Sequence, residues 1–218
     1  MALFNREVAV RVVSAAVLIP IVLAVVWIGG WPFVVLCLAV ALLMAREWLR
    51  LTGAGLGRAG LLLAGIVYIG VPVAALIWLR GLTPYGRDLV LALFAVVWAT
   101  DTGAFFVGRI LGGPKLAPRI SPNKTWSGAI GGLAAGVLAA IAVDILSGWL
   151  NLGSAIALAL LVAVVAEVGD LVESMLKRRF KVKDAGALIP GHGGALDRLD
   201  SMLLAAPALA LVMLLASK

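Results

Sequence analysis

Stretches of about twenty apolar residues recur along the whole chain, and no other feature restricts its fold so strongly. A helix needs about 20 such residues to cross the roughly 30 Å hydrocarbon core of a bilayer. Seven stretches approach or meet that length, at residues 10–28, 31–48, 60–79, 89–109, 128–150, 154–177 and 199–216. Strands of a membrane barrel would place a polar residue at every second position, and these stretches do not. Charge supply points the same way: 13% of the 218 residues are charged, about half of what covers a soluble domain. The expectation is an all-α, polytopic helical integral membrane protein with about seven transmembrane helices.

Basic residues orient the spans. With the N-terminus inside, fifteen of the 18 Lys and Arg fall on the cytoplasmic side and three, Arg80, Arg87 and Lys218, outside. The positive-inside rule therefore predicts a cytoplasmic N-terminus and an external C-terminus. The net charge of +7 then reads as loops facing anionic lipid, with no nucleic-acid partner. Trp27, Trp31, Trp78 and Trp149 sit at expected span ends, where indoles favour the interface. Cys37 is the single cysteine; it allows no internal disulfide and reads as a small buried hydrophobe. The first apolar stretch lacks a small-residue cleavage site, so it is expected to stay as a helix. Residues 1–86 read as N-terminal membrane helices, and residues 87–218 as the C-terminal helices that carry the chemistry.

Ionisable side chains inside a span cost roughly 2.5–3.5 kcal/mol each on insertion scales. The sixth span nevertheless carries Glu167, Asp170, Glu173, Ser174, Lys177 and Arg178. Steps of three and four place Glu167, Asp170, Ser174 and Lys177 on one helical stripe descending toward the cytoplasm. One contact with a neighbouring helix needs fewer carboxylates than this. Asp101 in the fourth span, with Thr102, Gly103 and Gly108 after it, suits a cation, a substrate or a basic partner. Asp144 lies nearer the outside and reads as structural.

Two cytoplasmic segments carry the remaining signal. Ser121-Pro122-Asn123-Lys124-Thr125 precedes the fifth helix, whose N-terminal amides suit anions. An N-cap with an inside-facing charge explains that segment equally well. Ser174 to Asp200 is more informative. Five basic residues lie between Lys177 and Lys183, glycines follow at 191, 193 and 194, and Asp197 and Asp200 open the seventh helix one turn apart. Glycines let backbone amides approach a phosphate. Asp170 and Asp197 lie near the cytoplasmic ends of consecutive antiparallel helices, and carboxylates with phosphate oxygens are the ligands Mg²⁺ prefers. His192, the only histidine, sits in the loop between them.

This segment resembles the C-terminal signature of the phosphatidate cytidylyltransferases, or CDP-diacylglycerol synthases. The matching frame is Ser174, Lys177-Arg178, Lys183-Asp184, Pro190, His192-Gly193-Gly194, Asp197-Arg198 and Asp200. The stretches from Asp101 to Arg109 and from Ser121 to Trp126 are also similar to family motifs, so the likeness covers about the second half of the chain. It implies transfer of a cytidylyl group from CTP to phosphatidate, giving CDP-diacylglycerol and pyrophosphate, at an inner membrane with the site facing the cytoplasm. It further implies Mg²⁺ on Asp170 and Asp197, with Asp101 and Asp200 as further metal candidates and a second, monovalent cation beside the first. Lys177 is implied as catalytic. Ser121, Lys124, Thr125, Ser174, Arg178, Lys183, Asp184, His192, Gly193, Gly194 and Arg198 are implied to handle substrate. A homodimer is left open.

Two other classes compete. A transporter predicts intramembrane charges through the full thickness of the bilayer, whereas here Asp144 alone lies toward the outside. A lipid-binding scaffold accounts for the basic loop but not for Asp170 facing Asp197.

Overall fold

The computed structural model describes residues 16–53, 56–148, 151–186 and 193–216, and over these the chain is a helical bundle with one short hairpin. The helices are α1 (Ala16–Ile28), α2 (Gly30–Thr52), α3 (Ala59–Gly81), α4 (Gly86–Leu111), α5 (Trp126–Ser147), α6 (Leu152–Arg179) and α7 (Leu196–Ala216). Among the described residues six of them, α2 to α7, are long and apolar enough to cross a membrane. The polytopic all-α expectation holds. Residues 10–15 of the expected first span, and Trp149, lie outside the described residues.

Helix ends follow ordinary capping chemistry. Gly53 and Gly148 end α2 and α5 in the left-handed conformation that side chains resist. At the end of α1, Arg80 donates from Nε to the carbonyl of Val26 at 2.6 Å and from a terminal nitrogen to that of Trp27 at 3.1 Å. Those carbonyls have no partner in the helix itself. Arg87 lies 4.3 Å from the ring centre of Trp27, a cation–π contact. Trp27, Trp31 and Trp78 are all exposed, as an interfacial belt requires.

Lipid removes most of the hydrophobic drive for helix association, so close van der Waals fit must hold the bundle. α5 meets this requirement with a stripe of small residues. Its buried positions are Gly128, Gly132, Gly136 and Ala140, one per turn. A Cβ on Gly128 or Gly132 would come within 2.8 Å of the carbonyl oxygens of Ala104 and Thr100 on α4. α4 and α5 thus touch backbone to backbone. The opposite face of α5, with Ile130, Leu138, Ile145 and Leu146, is exposed and suits acyl chains.

One element departs from expectation. Ser121–Thr125 is a β-strand, β2, paired antiparallel with β1 (Lys115–Ala117), and α5 begins directly after it, at Trp126. Pro122 lacks an amide hydrogen and favours extended backbone, which an isolated two-stranded hairpin tolerates. Thr125 caps α5 by accepting from the Gly128 amide at 3.1 Å. α7 also starts three residues earlier than its apolar pattern indicates, because side chains from elsewhere satisfy its first amides.

Candidate active site

The end of α4, the hairpin, the last turns of α6 and the first turn of α7 enclose a cavity of about 740 Å³. Its wall carries five carboxylates, Asp101, Glu167, Asp170, Asp197 and Asp200, and four basic side chains, Arg109, Lys115, Lys124 and Arg198. Near-balanced charge of both signs suits a ligand that is anionic but arrives with a cation. Each helix contributes where its sequence changes from apolar to polar, so the cavity lies at one end of the bundle.

Lys124 is the centre of the hairpin side. Its ammonium lies 2.6 Å from Glu167 Oε2 and 2.8 Å from Asp170 Oδ2. Burial alone would lower the lysine pKa, but the charges of Asp170 and Glu167 outweigh it and hold the ammonium above its usual value. Ser174 Oγ, one turn along α6, donates to Asp170 Oδ1 at 3.2 Å. Glu167, Asp170 and Ser174 of the stripe seen in the sequence are therefore one connected group of polar contacts.

Lys177 organises the other side, 2.8 Å from Glu173 Oε2 and 2.9 Å from Asp197 Oδ1. Asp197 accepts more besides: the Ala185 amide reaches both its oxygens, at 3.1 and 2.9 Å, and the Gly194 amide reaches Oδ2 at 2.9 Å. On α7, Ser201 donates from Oγ to Asp101 Oδ1 at 3.1 Å, and its amide donates to Asp200 Oδ1 at 2.7 Å. This seats the α4 carboxylate beside those of α7.

Of the residues singled out from the sequence, Asp101, Ser121, Lys124, Thr125, Asp170, Asp197, Arg198 and Asp200 line this one cavity. Ser174 and Lys177 meet it through Asp170 and Asp197. Arg178 turns to the hairpin, donating to the Ile120 carbonyl at 3.4 Å. Lys183 and Asp184 are exposed and do not line the cavity. Gly193 adopts φ +79°, the left-handed region that favours glycine. The Gly194 amide is committed to Asp197. His192 lies outside the described residues.

The donor chemistry fits a hard divalent cation. Mg²⁺ typically takes one or two carboxylates and completes its shell with water and substrate phosphates. Among the described residues no group of three or more His, Cys, Asp or Glu side chains is gathered tightly enough to hold a metal unaided. Separate carboxylates around a shared cavity suit an ion that arrives with phosphate.

Comparison with known proteins decides the family. The cytidylyltransferase family model matches residues 9–56 and 54–216. The chain belongs to the cytidylyltransferase family. A protein named phosphatidate cytidylyltransferase from Brucella suis biovar 1 (strain 1330) is 41% identical over 245 residues, covering 90% of this chain and 89% of the relative. Proteins of the same name from Rickettsia bellii (strain RML369-C) and Rickettsia felis (strain ATCC VR-1525 / URRWXCal2) are 41% and 36% identical, covering 91% and 97% of this chain. They are matched over 87% and 94% of their own lengths.

For this cytidylyltransferase-family chain, sequence reasoning missed Glu47. It is a buried carboxylate on α2 that accepts from the amides of Ala195 and Leu196 at 2.9 Å each. A single carboxylate, next to Arg46 near the end of the second span, was the available signal, since such a residue needs a partner. Lys115 and Asn123 were also passed over, although both line the cavity.

Proposed function

We propose that this chain transfers a cytidylyl group from CTP to phosphatidate, releasing pyrophosphate and leaving CDP-diacylglycerol in the membrane. The observation that carries the reading is the mixed-charge cavity at one end of an apolar bundle, in a chain of the cytidylyltransferase family. A phosphate oxygen of phosphatidate bonds to the α-phosphorus of CTP, and the bond from that phosphorus to the bridging oxygen of pyrophosphate breaks. The attacking phosphate is already ionised near neutral pH, so no side chain has to remove a proton from it.

Phosphoryl transfer of this kind is mostly positioning and charge compensation. Lys124, held above its usual pKa, stays an ammonium across the neutral range and offers a fixed positive charge to the phosphates. Arg109, Lys115 and Arg198 stand around the same space, and Ser121 adds a hydroxyl at its wall. Asp170 and Asp197 are the residues that would hold Mg²⁺, with Asp101 and Asp200 on the same cavity wall as further metal candidates. When bound, Mg²⁺ supplies charge that offsets the crowded phosphate oxygens. Lys177 keeps Asp197 in place and compensates its charge. The basic residues at the cavity's end of the bundle favour a cytoplasmic orientation, where CTP is available.

The decisive assay measures pyrophosphate release by the purified protein in detergent, with CTP, dCTP and other nucleotides, with and without phosphatidate. Release that needs both a cytidine nucleotide and phosphatidate is expected. Release indifferent to the lipid, or none at all, would overturn the assignment.

A further inference from the structure

We infer that Glu47 is a positioning residue for the active site: from α2, its carboxylate fixes the loop end from which Asp197, Arg198 and Asp200 enter the cavity. A carboxylate that is only 4% exposed carries a heavy desolvation cost and needs matched donors. Here each oxygen accepts one backbone N–H, Oε1 from Ala195 and Oε2 from Leu196, both at 2.9 Å. These amides stand at the start of α7, where unpaired N–H groups and the helix dipole favour negative charge. Glu47 therefore caps α7 from 149 positions away in the chain.

The loop is shaped to receive it. A Cβ on Gly186 would fall 2.6 Å from Glu47 Oε1, and one on Gly194 would fall 2.5 Å from Oε2. Backbone on both sides of the loop thus lies against the carboxylate, and a side chain at either position would displace it. Asp197 holds the same two loop ends, through the amides of Ala185 and Gly194. The two carboxylates brace the loop from opposite halves of the chain. Two functional consequences follow. The first turn of α7, which aims Asp197, Arg198 and Asp200, is tied to α2. Its Ala195 and Leu196 amides are committed to Glu47 and so are not offered to phosphate in the cavity.

The kinetic part of this inference rests on the cytidylyl-transfer reading; the structural part does not. The test therefore combines hydrogen–deuterium exchange with steady-state kinetics on the full chain in detergent, for the wild type, Glu47→Gln, Glu47→Ala and Gly186→Ala. Exchange in the peptide spanning residues 193–204 should rise about tenfold or more in Glu47→Ala, while α4 and α5 keep their protection. The kcat should fall about 10- to 100-fold, as misplaced reacting groups do, with a smaller change in the KM for CTP. Glu47→Gln, which keeps one acceptor oxygen, should fall between Glu47→Ala and the wild type. Gly186→Ala leaves the carboxylate present but displaced, so it should reproduce both effects, and it carries the test alone if Glu47→Ala does not fold. Unchanged exchange at the start of α7 refutes the clamp. Raised exchange with wild-type kcat refutes the positioning role. A wild type inactive on CTP and phosphatidate instead refutes the reaction assignment, and exchange alone then decides the clamp.

Discussion

Lys124 and Lys177 each span two carboxylates, yet the two stations differ in how far they open to the cavity. Lys124 joins Glu167 and Asp170, whose side chains are 9% and 29% exposed. Lys177 joins Glu173 and Asp197, at 3% and 8%. Asp170 therefore has a free approach from the cavity and, among the described residues, Lys124 and Ser174 as its hydrogen-bonding partners. Asp197 is enclosed by an ammonium and two backbone amides. The same pairing of residue types thus serves two ends: at Lys124 a charge held ready for ligand, and at Lys177 a joint that secures the start of α7 and fixes Asp197 at the cavity wall. Low dielectric strengthens both pairs but makes the loss of a partner costly chiefly at the buried one.

The largest effect should come from the exposed carboxylate. Asp170→Asn is expected to reduce turnover about 10³-fold, the scale of removing a preorganised charge from a reaction centre, while membrane insertion is kept. Near-normal rates would remove Asp170 from the chemistry and dissolve the contrast. Next is the buried joint. Lys177→Ala strands two enclosed carboxylates and should cost about 3 kcal/mol of stability, read as earlier unfolding in a denaturant titration in detergent. Lys124→Ala strands one enclosed carboxylate, Glu167, while water can reach Asp170, so it should cost less, about 2 kcal/mol, but should depress kcat/KM strongly. Equal destabilisation by the two alanines would show that both stations are structural.

Much of this architecture was legible because a bilayer leaves few options: apolar length gives helices, and stranded charges mark the site. The α6 stripe was readable since Glu167, Asp170, Ser174 and Lys177 recur at helical spacing, and Asp101, Asp170, Asp197 and Asp200 do line one cavity. Local hydrogen bonding was not readable in the same way. The segment Ser121–Thr125 reads as a helix entry, and only its pairing with Lys115–Ala117 shows it to be a strand. Glu47 stood out only as a charge near the end of an apolar run, and its partners are backbone amides almost 150 residues away. Backbone groups leave no residue-type signature, so no pattern of side chains could point to them. Gly194 reads as part of a phosphate cradle for the same reason: close approach is visible in a sequence, but what approaches, here the Glu47 carboxylate, is not.

Glu167 sharpens the comparison on a smaller scale. It is the enclosed partner of Lys124, as Glu173 is of Lys177, and the 2.6 Å contact aims the ammonium toward Asp170 and the cavity. Glu167→Gln keeps the shape and removes the charge. A fall of about tenfold in kcat/KM is expected, on the scale of one charge-assisted hydrogen bond, with stability nearly unchanged. A loss as large as that of Asp170→Asn would place Glu167 among the reacting groups themselves.

The smallest effect belongs to Lys183, exposed and away from the cavity lining. A lysine near an anionic membrane surface contributes about 1 kcal/mol of attraction, and that attraction decays within a Debye length. Lys183→Ala should therefore lower activity on phosphatidate-rich vesicles by about fivefold at low salt, through KM for the lipid rather than kcat. At about 0.5 M salt the difference from wild type should vanish, since screening removes the field the side chain adds. A deficit that persists in high salt, or that falls on kcat, would mean that Lys183 touches the substrate phosphates directly. The exposed basic stretch would then have to be counted with Lys124 and not with the membrane surface.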